Sequence, residues 1–151
     1  MPAPYTGGCL CGKARYVIDG EPATSYVCHC TDCQARTGSA FGFTLTVERS
    51  AVRLTQGETQ AYAITLADGR IKTGRVCPAC GTRLWGEPPK LPTIAVVQAG
   101  TLDDHSWLRP VAHIWTRSAQ PWFRFPEGAV KYEGQPATYG ELLRLWKERA
   151  R

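Results

Sequence analysis

Seven cysteines fall into three close groups in this chain of 151 residues: Cys9-x-Cys11, Cys28-x-Cys30-x-x-Cys33 and Cys77-x-x-Cys80. Thiols at such spacings reach a single metal ion from one tight turn, and they make poor long-range crosslinks. The odd number argues in the same direction, against a disulfide framework. The segment VCPACGTRL (Val76 to Leu84) has the form of a zinc knuckle, with Pro78 to stiffen the turn. Gly81 can adopt the left-handed backbone that turns N–H groups toward the sulfurs. One knuckle supplies two ligands, and the other pair is expected from GGCLCG, where Gly8 and Gly12 flank Cys9 and Cys11. Cys9, Cys11, Cys77 and Cys80 would then make a closed, structural zinc site of four thiolates whose metal contributes to folding. An isolated C-x-x-C could equally be a redox dithiol; the second glycine-flanked pair favours the metal.

Cys28, Cys30 and Cys33 remain in CHCTDCQARTG. Three ligands with an open fourth position are the usual arrangement of a catalytic zinc, which keeps a place for water or substrate. A second structural site is the alternative, with Asp32, His105 or His113 as the fourth ligand. His29 lies between two of the cysteines, and in an extended segment it would point away from them.

The elements that must position these residues read mostly as short strands broken by Gly and Pro. AFGFTLTV alternates, with Phe41, Phe43, Leu45 and Val47 on one side. ARYVID, QAYAITL, IKTGRV, the apolar run TIAVVQAG and AHIWT are further strand candidates, and GEPPKLP is a loop. TDCQART predicts one or two helical turns with Thr31 or Asp32 as N-cap. TYGELLRLWKERAR predicts a C-terminal helix with Tyr139, Leu142, Leu143, Trp146 and Ala150 on one stripe and a Thr138–Glu141 capping box. Such a helix docks on the sheet, or else it presents its stripe to a partner. The expectation is a mainly β fold in a single domain over residues 1–151, without a repeat or a dividing linker.

The formal charge of +5 is misleading if the cysteines bind zinc, because seven thiolates and two zinc ions bring it to about +2. Lys13, Arg36, Arg75 and Arg83 lie near the ligands in sequence and can offset thiolate charge. No long Lys/Arg run or basic–aromatic interleaving points to nucleic acid. No apolar run approaches the roughly 18 residues of a membrane span. The start, MPAPYTGGCLCG, lacks a charged and then apolar leader, so a cytoplasmic location is expected. Oligomeric state is not legible.

GGCLCG, CHCTDCQARTGSAF, CPACGTRL and GTLDD…LRPVAHIWTRSAQPW follow one another in this order. Together they resemble the glutathione-dependent formaldehyde-activating enzyme (GFA) family, which includes centromere protein V-like proteins. The resemblance runs from about residue 5 to residue 134. It implies an Mss4-like, zinc-containing β fold, a structural zinc on Cys9, Cys11, Cys77 and Cys80, and a catalytic zinc on Cys28, Cys30 and Cys33. It also implies the joining of glutathione and formaldehyde into S-(hydroxymethyl)glutathione, a carbon–sulfur lyase type of reaction. In that chemistry a thiolate attacks the aldehyde carbon and the resulting alkoxide takes a proton; His29 and His113 are candidates to supply it. Arg36 and Arg117 could hold glutathione carboxylates, or be solvated surface charges. Trp115, Trp122 and Phe123 could wall a pocket or belong to the core. A zinc-stabilised module that binds a protein or glutathione without catalysis is the other reading of the same residues.

Overall fold

Short runs of β-branched and aromatic residues between glycine and proline turns make this protein mainly β, with one short helix and one longer helix. The computed structural model describes residues 2–149. In chain order the elements are β1 (Tyr5–Gly8), β2 (Arg15–Ile18), β3 (Thr24–Cys28), α1 (Thr31–Thr37), β4 (Gly42–Glu48), β5 (Val52–Gln56), β6 (Gln60–Thr65), β7 (Ile71–Val76), β8 (Arg83–Gly86), β9 (Ile94–Gln98), β10 (His113–Ile114) and α2 (Tyr139–Glu148). All six strands expected from alternation or apolar runs are present. β1, β3, β5 and β8 carry no such signal: β1 and β8 contain glycine, β3 (TSYVC) has no alternation, and four of the five residues of β5 are exposed.

The chain packs as two compact units, residues 2–22 with 45–107, and residues 23–44 with 108–149. In the first, β1, β2 and β5 form an antiparallel sheet, with a register shift between Arg15 and Tyr16. The end of β4 is followed laterally by β9, β8, β7 and β6, and the last four pair antiparallel. Tyr16, Ile18, Leu45, Leu84 and Val97 are fully buried in this unit's core. The Tyr16 ring meets Trp85 edge-on at 5.8 Å, and its hydroxyl lies 2.7 Å from Thr101 Oγ1. Gly7 is needed where β1 crosses this tyrosine, because a Cβ there would fall 2.5 Å from both the ring and the Thr101 carbonyl.

In the second unit, β3 lies between the parallel β10 and the start of β4. Registers His113 to Val27 and Ile114 to Cys28 put odd and even residues of the two strands on opposite faces. β4 is covered on both faces: Thr44 and Thr46 are buried, as are Leu45 and Val47. The Thr44 hydroxyl donates to the Tyr26 carbonyl at 3.1 Å, so its burial leaves no orphaned group there.

α2 contacts β3 and buries Leu142 and Trp146, the centre of the expected stripe. Its capping box forms, with the Thr138 N–H donating to Glu141 at 3.3 Å. Ala150, the last residue of that stripe, lies outside the described residues. The Thr24 hydroxyl donates to the Leu142 carbonyl at 2.9 Å, inside the packed interface. Leu142→Ala should therefore cost about 2–5 kcal/mol through lost burial and an unfilled cavity, read by denaturant unfolding. A loss below about 1 kcal/mol would mean that α2 does not support β3.

Candidate metal centres

The first cysteine cluster is built from two glycine-closed turns. After β1, the Cys9 N–H donates to the Ala14 carbonyl at 3.0 Å and the Gly12 N–H to the Cys9 carbonyl at 3.1 Å. After β7, the Cys77 N–H donates to the Thr82 carbonyl and the Gly81 N–H to the Cys77 carbonyl, each at 2.9 Å. Gly12 and Gly81 both take positive φ, +77° and +74°, as their turns require. The Leu10 N–H donates to the Thr82 hydroxyl at 3.1 Å and ties one turn to the other.

The sulfurs of Cys9, Cys11, Cys77 and Cys80 lie within 4.8 Å of one another, with Cys9 to Cys11 at 3.5 Å and Cys11 to Cys77 at 3.9 Å. A tetrahedral ion with metal–sulfur bonds of about 2.3 Å needs sulfur edges of about 3.8 Å, so this donor set fits zinc. The Ala14 N–H points at the Cys9 sulfur from 3.2 Å. The Thr82 hydroxyl and then its backbone N–H hold the Cys80 thiol down at about 5. The N–H of Lys13 favours ionised Cys11, but the shared Cys9 sulfur and the other two thiols outweigh it and push Cys11 up to about 11. The chain alone does not ionise all four thiols; a bound cation would.

The second cluster joins the end of β3 to α1. Cys28 closes the strand, and Cys30 (φ −64°, ψ 154°) is the N-cap of α1. Residue type favours Thr31 or Asp32 as the cap, but the sulfur of Cys30 takes that place and accepts the Cys33 N–H at 3.3 Å. The three sulfurs lie within 4.8 Å of one another. Among the described residues, no histidine or carboxylate joins this group, and so neither Asp32, His105 nor His113 completes it. His105 instead sits 3.3 Å from the Leu102 carbonyl. The crowding of Cys30, then Cys33, together with burial, pushes the Cys28 thiol far up. Two unit charges 4 Å apart repel by about 4 kcal/mol at an effective dielectric of about 20, so a divalent cation is the natural complement of three thiolates. The donor set fits a metal ion here too.

Strand alternation separates the histidines from these sulfurs. Cys28 packs with Ala112, Ile114 and Leu142, and Cys30 and Cys33 pack against that cluster. His29 and His113 belong to the other face, where His29 Nε2 lies 3.0 Å from His113 Nδ1. Both are buried, and burial lowers both, His29 to about 4, so the pair is neutral at physiological pH. Phe41, Phe123 and Phe125 surround His29 at 5.6, 4.8 and 5.3 Å between ring centres. The two candidates for proton supply are thus turned into an aromatic box.

Over residues 4–118 the chain matches the family model described as glutathione-dependent formaldehyde-activating enzyme. The chain belongs to this family. Among solved structures it is similar to a Rhodobacter sphaeroides protein solved as a structural-genomics target, at 18% identity and a TM-score of 0.52, covering 84% of this chain and 98% of that one. That likeness shows a shared fold. No curated protein matches the chain.

All seven cysteines lie inside the segment shared with the formaldehyde-activating family, whereas Trp122, Phe123, Phe125 and α2 lie beyond it. Of the three aromatic residues that could wall a pocket or belong to the core, Trp122 is 65% exposed, and Phe123 packs on the histidines. Trp115 alone of the three reaches the cysteine face. Alternation from Ile114 would send it to the histidine side, but a left-handed backbone (φ 57°, ψ 39°) re-aims it, and it packs with the Cys28 cluster. Its backbone N–H donates to the Gly134 carbonyl at 3.1 Å, and Arg117 stacks on its ring at 5.4 Å. Arg117 also donates to the Glu133 carbonyl at 2.9 Å, so its guanidinium is held beside that ring. Arg36 lies in the last turn of α1.

Sequence reading did not find Gln34, which donates to the carbonyls of His29 and Ser118 at 2.8 Å each and accepts from Gln120 at 2.7 Å. No spacing signal marks a contact between residues so distant in the chain. For the first cluster, Cys77→Ser should lower bound zinc by about one ion per chain and lower the melting temperature, measured by native mass spectrometry and calorimetry. Full zinc content with unchanged melting would overturn the assignment.

Proposed function

We propose that this chain is a zinc-dependent enzyme acting at a carbon–sulfur bond, with glutathione or a similar thiol and a small aldehyde as substrates and S-(hydroxymethyl)glutathione as the type product. In this reading Cys28, Cys30 and Cys33 are the catalytic metal ligands, and Cys9, Cys11, Cys77 and Cys80 hold a structural zinc, within one domain of the formaldehyde-activating type. The observation that carries it is the second cluster: three mutually close sulfurs that no histidine or carboxylate of the described residues joins. Zinc bound there would favour the thiolate form of a thiol and polarise an oxygen.

The remaining chemistry asks little of acid–base groups. The thiolate sulfur bonds to the formaldehyde carbon, the carbonyl π pair moves to oxygen, and the oxygen takes the proton released by the thiol. The paired, neutral histidines lie on the other strand face, which favours water over either of them as the carrier of that proton. Arg117, braced on Trp115 and on the Glu133 carbonyl, is suited to a substrate carboxylate, and Trp115 presents an apolar wall on the cysteine side. Seven thiols organised in two chelating groups suit a reducing compartment, so the cytoplasm is the proposed location. None of the described helices is long and apolar enough to cross a membrane.

Exchange between glutathione, formaldehyde and their adduct proceeds without a catalyst, so the decisive quantity is the rate above that background. Exchange NMR should show acceleration by the wild type and its loss, to the uncatalysed level, in Cys30→Ser. Equal rates for wild type, variant and background would reject the enzyme and leave a zinc-stabilised binding module.

A further inference from the structure

The residue between the first two cysteines of the second cluster is held at every polar group but one. The His29 N–H donates to the Ile114 carbonyl at 3.0 Å. Its carbonyl accepts from Gln34 Nε2 at 2.8 Å, and its ring Nε2 lies 3.0 Å from His113 Nδ1. The exception is His29 Nδ1, which is buried without a hydrogen-bond partner. That exception fixes the proton. A buried N–H left without a partner is rarer and costlier than an unused lone pair. The proton of His29 therefore sits on Nε2 and is donated to His113 Nδ1, and His113 carries its own proton on Nε2.

We propose that the His29–His113 pair, with Gln34, is a positioning device that sets the directions of Cys28 and Cys30 toward one ion. This rests on the reading of Cys28, Cys30 and Cys33 as a metal site. One residue separates the two sulfurs, so a rotation about the His29 backbone moves one relative to the other. Alternation puts the His29 ring on the opposite face, where it can be clamped without competing for the ion. The clamps come from β10, from α1 and, through Gln34, from the segment holding Ser118 and Gln120. The phenylalanine box excludes water, which strengthens the histidine–histidine hydrogen bond and makes its loss costly. Outer groups of this kind hold ligands in productive geometry in other metal sites.

The test uses the full chain loaded with zinc or cobalt(II), in wild type, His113→Phe, His113→Asn and Gln34→Leu. Phenylalanine keeps the ring but offers no acceptor; asparagine restores a polar atom at the δ position. His113→Phe should keep the metal of the first cluster. It should bind the second ion on the order of 10- to 100-fold more weakly in chelator competition, with shifted cobalt–thiolate bands, and His113→Asn should recover both properties. Gln34→Leu, altered on the half-exposed α1 rather than in the aromatic box, should also weaken the second ion, and it decides the matter if His113→Phe does not fold. Wild-type affinity and spectrum in both His113→Phe and Gln34→Leu would overturn the proposal while leaving the metal site standing. A wild type that never takes a second ion would overturn the site and the proposal together, before any variant is compared.

Discussion

Thiolates held within 4.8 Å of one another repel, and this constraint organises the molecule. A cluster of ionised cysteines is stable only around a cation, and a cluster of protonated ones gives up most of its binding energy. The two clusters meet the constraint differently. In the first, the Ala14 N–H donates to the Cys9 sulfur, the Thr82 hydroxyl lies against the Cys80 sulfur, and the Lys13 N–H favours ionised Cys11. In the second, Cys28 packs with Ala112, Ile114 and Leu142, and Cys30 and Cys33 pack against that cluster.

The second site depends on a two-residue period. Because the chain is extended at the end of β3 and again at Cys30, the N-cap of α1, Cys28 and Cys30 share a face and His29 does not. The parallel pairing of β10 carries the same division across, so Ile114 backs the cysteines and His113 backs His29. The clustered sulfurs and the hydrogen-bonded histidines thereby occupy opposite sides of one ribbon. Trp115 departs from the period through its left-handed backbone, held by the Gly134 carbonyl on one side and the Ser118 N–H on the other. Strained conformations of this kind persist where their surroundings over-determine them, and here the result is an aromatic ring delivered to the cysteine side.

Residue types and spacing were enough for the grouping of the cysteines, the Gly81 turn, α1, α2 with its capping box, and six of the strands. Apart from the meeting of Cys11 with Cys77, 66 positions away, these features are local: each depends on residues a few positions apart, whose geometry follows from backbone sterics and chelate bite. The same locality explains the family resemblance, since the motifs that carry it are short and ordered along the chain. The N-cap of α1 escapes a reading by residue type because cysteine is not a usual cap; here its sulfur is held in place by the cluster and accepts the bond that Thr31 or Asp32 was expected to accept.

Tertiary structure alone decided what lies beside the second cluster. His29 and His113 are 84 positions apart, as are Gln34 and Ser118, and no periodicity encodes such a meeting. By itself, the sequence determined three close groups of thiols, because chelate bite is a short-range property, and the fold brought Cys11 to Cys77 across 66 positions to make the group of four. Only the fold decided that neither histidine would complete the group of three. That outcome depends on which face of β10 is presented to β3, and strand register is set by long-range packing.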